Sequence, residues 1–380
     1  MIVHRRSRRQ FLRKAFGGFV GTLASLRRSA ARAWQSLDER ARLRDLGIHL
    51  GTLAPGPFNA ITDVAGVRVG HTTNIRGTNV RTGVTVILPH DGNPYEDPVA
   101  AGHFVLNGNG EMTGLLSTRA TGQLETPVFL TGTANIGIVY DAALSWLLRQ
   151  NPDIGLSRPV PIPVVAECWD SLGDIEGRHI TEDDVLRAIE SATGGNVQEG
   201  AVGGGTGMRS YGFKAGIGTA SRIVGDYVVG VLVNANHSVR HLLRIDGVPV
   251  GQELEDYPEN PEEKSKSVIL VAATDAPLLS KQLTRMCKRM SLGLARTGSV
   301  STHGSGDLCL AFSTEHSGES PGPLTDRSLS QLWHAAVEAA EEAALNALTA
   351  APTMKGIGGI VRHGLPLDRL VDIMKKYNRL

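Results

Sequence analysis

The sequence predicts an α/β fold in which sheets are covered by helices, and three observations predict it. Short β-branched runs bounded by Gly or Pro alternate with segments of helical apolar spacing. The 45 glycines and the 5% aromatic content point to tight turns and close backbone approaches, which suits layered sheets better than a helical bundle. The 380 residues, 41% hydrophobic and 20% charged, suffice for one large or two ordinary domains with a real core.

Residues 1–35 stand apart as a leader. Arg5, Arg6, Arg8 and Arg9 precede Phe11 and Leu12, and Ser7-Arg8-Arg9-Gln10-Phe11-Leu12 resembles a twin-arginine export signal. An apolar stretch from Ala15 to Leu26 follows, and Ala31-Arg32-Ala33 offers small residues for removal of the leader. The expected location is periplasmic or secreted. Arg27 and Arg28, directly after the apolar stretch, leave a cytoplasmic basic tail as the alternative. No later segment reaches the roughly 18 apolar residues that a membrane span needs.

The folded body is expected to begin near Leu46, with turns and short strands alternating from Gly56 to Gly70. Val84 to Leu88, Val128 to Leu130 and Val160 to Val165 read as strands. Ile136 to Arg149 and the stretch from Thr181 to Ala192 read as helices, Thr181 and Asp184 forming a capping box. Gly200 to Gly218 is rich in glycine, yet no Lys follows at the spacing of a phosphate-binding loop and no GxGxxG is complete, so close backbone packing is the reading.

Tyr227 to Val233 is a strand that runs into Asn234-Ala235-Asn236. Residues 252–266 are polar, acidic and carry Pro258 and Pro261, so they read as an exposed linker. Ser267 then opens Val268 to Ala273, a run apolar enough for a fully buried strand. Asp275 is expected to cap a helix with Pro277 in its first turn and Leu279, Leu283, Met286 and Met290 on one stripe. Ser328 to Ala350 and Pro366 to Tyr377 close the chain as helices.

The charge balance, 39 Lys and Arg against 38 Asp and Glu, supplies no field for a nucleic acid, so the expected partner is a small molecule. Cys168, Cys287 and Cys309 form no CxxC, and buried free thiols are expected. There is no HExxH and no local Cys/His signature, which removes the first requirement of zinc proteases and papain-like enzymes. A serine at the junction of linker and buried strand offers another route. Cutting the bond before it would create a terminal α-amine, with an ordinary pKa of about 7.7–8.0, able to serve as base for its own hydroxyl. From the residues alone this stands beside the plain reading, a polar residue that starts a strand.

A series of motifs carries the argument further. Asn59-Ala60-Ile61-Thr62-Asp63-Val64-Ala65-Gly66, Asn107-Gly108-Asn109-Gly110-Glu111, Ala166-Glu167-Cys168-Trp169-Asp170, Gly203-Gly204-Gly205-Thr206-Gly207-Met208 and Gly247-Val248-Pro249-Val250-Gly251 occur in that order. Ala272-Ala273-Thr274-Asp275-Ala276-Pro277-Leu278, Leu292-Gly293-Leu294-Ala295-Arg296-Thr297-Gly298-Ser299 and Gly304-Ser305-Gly306-Asp307 follow them. Together, from about Leu46 to Gly359, they resemble the L-aminopeptidase/D-Ala-esterase and β-peptidyl aminopeptidase family of self-processing N-terminal serine hydrolases.

That resemblance implies an αββα sandwich of two sheets between helix layers, self-cleaved into a large subunit, residues 46–266, and a small one, residues 267–380, intertwined as one domain. It implies cleavage between Lys266 and Ser267, Ser267 as nucleophile, Ser305 and Asp307 supporting it, and Asn236 holding the oxyanion. Glu167 would bind the ammonium of the substrate and Trp169 would line its pocket. Taken alone, Ser305-Gly306-Asp307 also reads as a tight turn, Asn236 as the end of a strand and Trp169 as core. The resemblance further implies peptide, amide or ester substrates with a free amino group, no metal or organic cofactor, and a homo-oligomer, a tetramer of processed pairs. Lys266 stands where a small residue is expected, and His237-Ser238 where an aromatic residue and Gly are usual. Two alternatives remain: an acyltransferase of the same architecture passing an acetyl group to an amino acid, which would use threonine at Ser267, and a non-catalytic binding homologue.

Overall fold

In chain order the strands are β1 Arg68–Arg76, β2 Val80–Leu88, β3 Val99–Gly108, β4 Gln123–Leu124, β5 Val128–Gly132, β6 Val164–Cys168, β7 Arg209–Ser210, β8 Phe213–Lys214, β9 Ile217–Val224, β10 Tyr227–Asn236, β11 Lys266–Thr274, β12 Ser305–Ser313, β13 Met354–Lys355 and β14 Val361–Arg362. The helices are α1 Leu115–Thr121, α2 Ile136–Gln150, α3 Glu182–Glu190, α4 Ser280–Arg296, α5 Asp326–Thr349 and α6 Leu367–Lys376, with single turns elsewhere. The computed structural model describes residues 40–258, 266–315 and 324–380. The expected leader, and residues 259–265 of the expected linker, lie outside the described residues.

Two sheets dominate the unit Ala41–Leu380: four strands in the order β1-β2-β5-β6 and six in the order β4-β3-β12-β11-β10-β9. The alternation of side chains along each strand sorts the core into three layers. Val84, Val86 and Leu88 of β2 pack on Val139 and Ala143 of α2 and Val185 of α3. On the opposite face of that sheet, Val128, Leu130, Val164 and Ala166 meet Ile269, Val271, Leu308 and Leu310 of the six-stranded sheet. Beyond it, Val268, Leu270, Cys309 and Ala311 pack on α4 and α5. The order is helix, sheet, sheet, helix, the αββα sandwich that the resemblance implies.

Backbone contact accounts for the glycine-rich stretch. A methyl group on Gly204 would sit 2.5 Å from the Leu130 carbonyl oxygen, and one on Gly216 would sit 2.0 Å from that of Gly200. The segment is a packing device.

Three expectations need correction. The strand expected from Val160 begins only at Val164, because Pro161 and Pro163 have no N–H to give a ladder. Asp275 does not cap α4: its carboxylate accepts from the Val228 N–H at 2.8 Å, closing the end of β10 and β11, and the helix starts at Ser280 with Leu279 exposed. The span 252–266 is not exposed throughout. Leu254 is buried in the core, Asp256 is tied to Arg369 of α6 at 2.8 Å, and Lys266 is buried as the first residue of β11, paired with Ser305.

Candidate active site

Four neighbouring strands of the large sheet end together. Asn236 of β10 lies opposite Ser267 of β11, Ser267 opposite Gly306 of β12, and Gly306 opposite Gly108 of β3. Ile269 and Val271 face the small sheet, so the period of two places the Ser267 side chain on that same inner face. Gly306 offers no side chain there. Ser305 and Asp307 flank it and share a phase with Cys309, whose side faces the helices; the Ser305 hydroxyl donates to Asp307 Oδ1. Burial raises the Asp307 carboxyl above its usual range, against the opposing hydrogen bonds from Ser301 and Ser305.

The small sheet contributes Glu167, near the end of β6, 5% exposed. Its Oε1 accepts from the Glu111 N–H at 3.2 Å and its Oε2 from the Thr133 hydroxyl. Burial raises its pKa, with those two bonds pulling the other way. A methyl group built on Gly110 would be 3.1 Å from Glu167 Oε1 and 3.2 Å from Gly306 Cα. Only the Asn109–Gly110 backbone therefore separates the carboxylate from the ladder position beside Ser267. A cavity of about 550 Å³ opens along this strip, lined by Gly108, Gly110, Glu111, Met112, Ile162 and Leu308 among others.

Asn236 is buried and held at both ends of its amide: Oδ1 accepts from the Arg209 N–H at 3.1 Å and Nδ2 donates to the Trp169 carbonyl at 3.2 Å. Trp169 itself is half-buried. The contact that matters to Asn236 is its backbone, not its indole. His237 follows, with its ring against Tyr211 at 5.1 Å, and burial lowers its pKa to about 3, so its imidazole is too weak a base to accept a proton at neutral pH. Ser238 takes φ +64°, the left-handed conformation for which a glycine would be the low-strain choice.

The structure thus gathers Ser267, Asn236, Ser305, Asp307 and Glu167 at one end of the sandwich. Sequence reading missed the roles of Thr133, the Glu111 amide and the Arg209 amide; Glu111 closes a quoted motif, but nothing local ties any of the three to its partner in a distant segment. Among the described residues no cluster of His, Cys, Asp and Glu is arranged to hold a metal. No described helix is long and apolar enough to cross a membrane.

Residues 59–362 match the model of peptidase family S58. This chain belongs to that family. A β-peptidyl aminopeptidase of Sphingosinicella xenopeptidilytica is 44% identical over 370 residues, covering 88% of this chain and 91% of its own. Among solved structures, a β-aminopeptidase of a Burkholderia species superposes with a TM-score of 0.80 at 43% identity, covering 88% of this chain and 99% of that one. The L-aminopeptidase D-Ala-esterase/amidase of Ochrobactrum anthropi does so with a TM-score of 0.82 at 40% identity, covering 89% and 99%, and is described as a variant of the Ntn hydrolase fold. The S58 chain is accordingly a serine peptidase of the aminopeptidase type.

Proposed function

We propose that this S58 peptidase removes the N-terminal residue from short peptides, amino-acid amides or esters, using Ser267 freed by cleavage of the bond after Lys266. The observation that carries the reading is the row Asn236–Ser267–Gly306 across three paired strands, with Glu167 one backbone layer away.

In this mechanism Ser267 Oγ attacks the first carbonyl carbon, and the α-amine of the same residue takes its proton and later returns it to the leaving amine. The second N–H of Asn236 Nδ2 donates to the oxyanion; Oδ1 is already committed to Arg209, which fixes which end of the amide faces the reaction. Water then releases the acyl-enzyme. The Glu167 carboxylate pairs with the substrate ammonium, so a chain without a free amino end is rejected. Asp307, held by Ser305, sits one residue past the ladder partner of Ser267 and offsets positive charge on the amine. Serine at 267, together with relatives named as β-peptidyl aminopeptidases, favours hydrolysis over transfer to an amino acid.

The test is intact-mass spectrometry with a turnover assay. The expected result is two chains, the smaller beginning Ser-Val-Ile-Leu and ending at Leu380, and a Ser267→Ala protein that stays uncut and does not hydrolyse an amino-acid p-nitroanilide. An uncut yet active preparation refutes the mechanism. The leader is proposed to direct export to the periplasm, and loss of residues 1–35 from secreted material tests it. Assembly into a tetramer of processed pairs is proposed on the exposed Leu106, Leu116, Leu156 and Ile162, and light scattering tests it.

A further inference from the structure

Lys214, at the end of β8, is fully buried, and its ammonium is saturated by three backbone carbonyls. Nζ donates to Met208 O at 2.9 Å, to Gly205 O at 3.3 Å and to Ala215 O. Those three bonds use every donor that a lysine has. Among the described residues no carboxylate pairs with it, and the charge that it feels most is the like charge of Arg362. Arg209 is its ladder partner in the β7–β8 hairpin. A buried cation with no anionic partner costs several kcal/mol in general, so its retention calls for a role.

The role follows from one peptide group. The Met208 carbonyl, which accepts from Lys214 and from the Ala215 N–H at 3.2 Å, and the Arg209 N–H that donates to Asn236 Oδ1 at 3.1 Å are the two ends of the same planar amide. Turning that plane moves both bonds together. The order of donation is Lys214 Nζ to Met208 O, Arg209 N to Asn236 Oδ1, then Asn236 Nδ2 to the Trp169 carbonyl and to whatever oxygen lies before Ser267. Each link also polarises the next, so at and below about pH 7, where Lys214 keeps its proton, the ammonium at the head makes the last amide a better donor.

We infer that Lys214 is a positioning residue for the oxyanion donor Asn236, acting through the Met208–Arg209 peptide. The inference rests on the reading of Asn236 given above and goes beyond it by naming what holds that side chain in its working orientation. The Gly205 contact adds a second anchor: it ties the Gly203–Gly205 turn, wedged against β5, to the same ammonium, so the Met208–Arg209 peptide hangs between two fixed points.

A double-mutant cycle on processed protein, with processing checked by intact mass, tests it. Lys214→Met is expected to lower kcat about tenfold to a hundredfold, the scale of a hydrogen bond from a charged donor, with KM within about twofold. In an Asn236→Ala background the same substitution is expected to change kcat little, because its route to the substrate is already cut. A merely structural lysine would lower activity equally in both backgrounds, and that result overturns the proposal, as does an unchanged kcat in Lys214→Met alone. Should Lys214→Met fail to accumulate, Lys214→Arg carries the same cycle: a planar guanidinium cannot serve the three carbonyls at once, so kcat falls several-fold with Asn236 present. Undiminished kcat in that folded variant overturns it. An Asn236→Ala protein with full kcat would instead remove the reading on which the inference stands.

Discussion

Gly306 is the most informative position to perturb, because it touches the site without supplying chemistry. It lies beside Ser267 in the ladder, and a methyl group on it would point at the Asn109–Gly110 backbone, 2.7 Å from the Asn109 oxygen and 2.9 Å from Gly110 Cα. An ordinary contact begins near 3.4 Å. Gly306→Ala therefore forces main chain apart by roughly 0.5–0.7 Å, either lifting the strip that abuts Glu167 or pushing β12 away from β11. Neither partner is a flexible side-chain end. Overpacking of this kind costs about 1–3 kcal/mol of stability. Displacements approaching 1 Å at a reacting centre lower turnover by up to about 10²-fold. The assay is kcat and KM on an amino-acid p-nitroanilide, with thermal melting and intact mass on the same sample. The expected outcome is a folded protein whose kcat/KM drops by at least about tenfold, out of proportion to its loss of stability. Wild-type kinetics in a folded Gly306→Ala protein would refute the placement of the substrate between Ser267 and Glu167.

Three other outcomes follow from the same geometry. Glu167→Gln keeps the shape and removes the charge that would pair with the ammonium; kcat/KM should fall by about ten- to a hundredfold, chiefly through KM, and an unchanged KM refutes that role. Arg222 is fully buried between Glu338 at 3.0 Å and Glu342 at 2.7 Å; Arg222→Leu leaves Glu338 with the Thr52 and Leu53 N–H groups and Glu342 with Arg44, and should cost about 2–3 kcal/mol in chemical denaturation, whereas a cost below about 1 kcal/mol contradicts the pairing. Burial first, and Arg362 second, pull Lys214 from 10.5 to about 7. Between those values the unfolded chain holds a proton that the folded chain has released, so this group makes stability rise with pH, by at most about 1.4 kcal/mol per unit. Denaturation curves from pH 7 upward should show that slope in wild type relative to Lys214→Met, and parallel curves count against it.

What could be read in the sequence was whatever local pattern encodes. Val268 to Ala273 is an uninterrupted apolar run, so β11 was legible, and Thr181 with Asp184 marked the start of α3 by a cap that the structure forms. β12 was not legible, because Gly304-Ser305-Gly306-Asp307 has the composition of a turn and only its pairing with β11 and β3 makes it extended. β3 was hidden by its polar end and by the extra residue, Leu106, that its pairing with β12 skips between Val105 and Asn107. The cap assigned to Asp275 failed because a carboxylate ahead of an apolar stripe looks the same whether it meets its own helix or the neighbouring strand. Glu167 could be named from its motif, yet Thr133 and the Glu111 amide, 34 and 56 residues away, could not. Lys214 lies inside the Gly200–Gly218 stretch that reads as close backbone packing, and nothing in that pattern says that its ammonium turns inward onto the carbonyls of Gly205, Met208 and Ala215.

The position of β11 in its sheet bears on how a chain end can be a catalyst at all. Termini ordinarily fray, and a frayed nucleophile loses the geometry on which attack depends. Here the strand from Ser267 to Thr274 is paired along its whole length, with β10 on one side and β12 on the other, and its inward side chains are buried between the sheets. Breaking the bond before Ser267 would remove none of those pairs. It would release only Lys266, which is buried opposite Ser305. The new α-amine would then lie at the end of β11 from which Lys266 departs, one ladder position from Ser305 and Asp307, which flank the partner of Ser267. A residue at the head of a central strand is thus held rigidly enough to act as the proposed nucleophile.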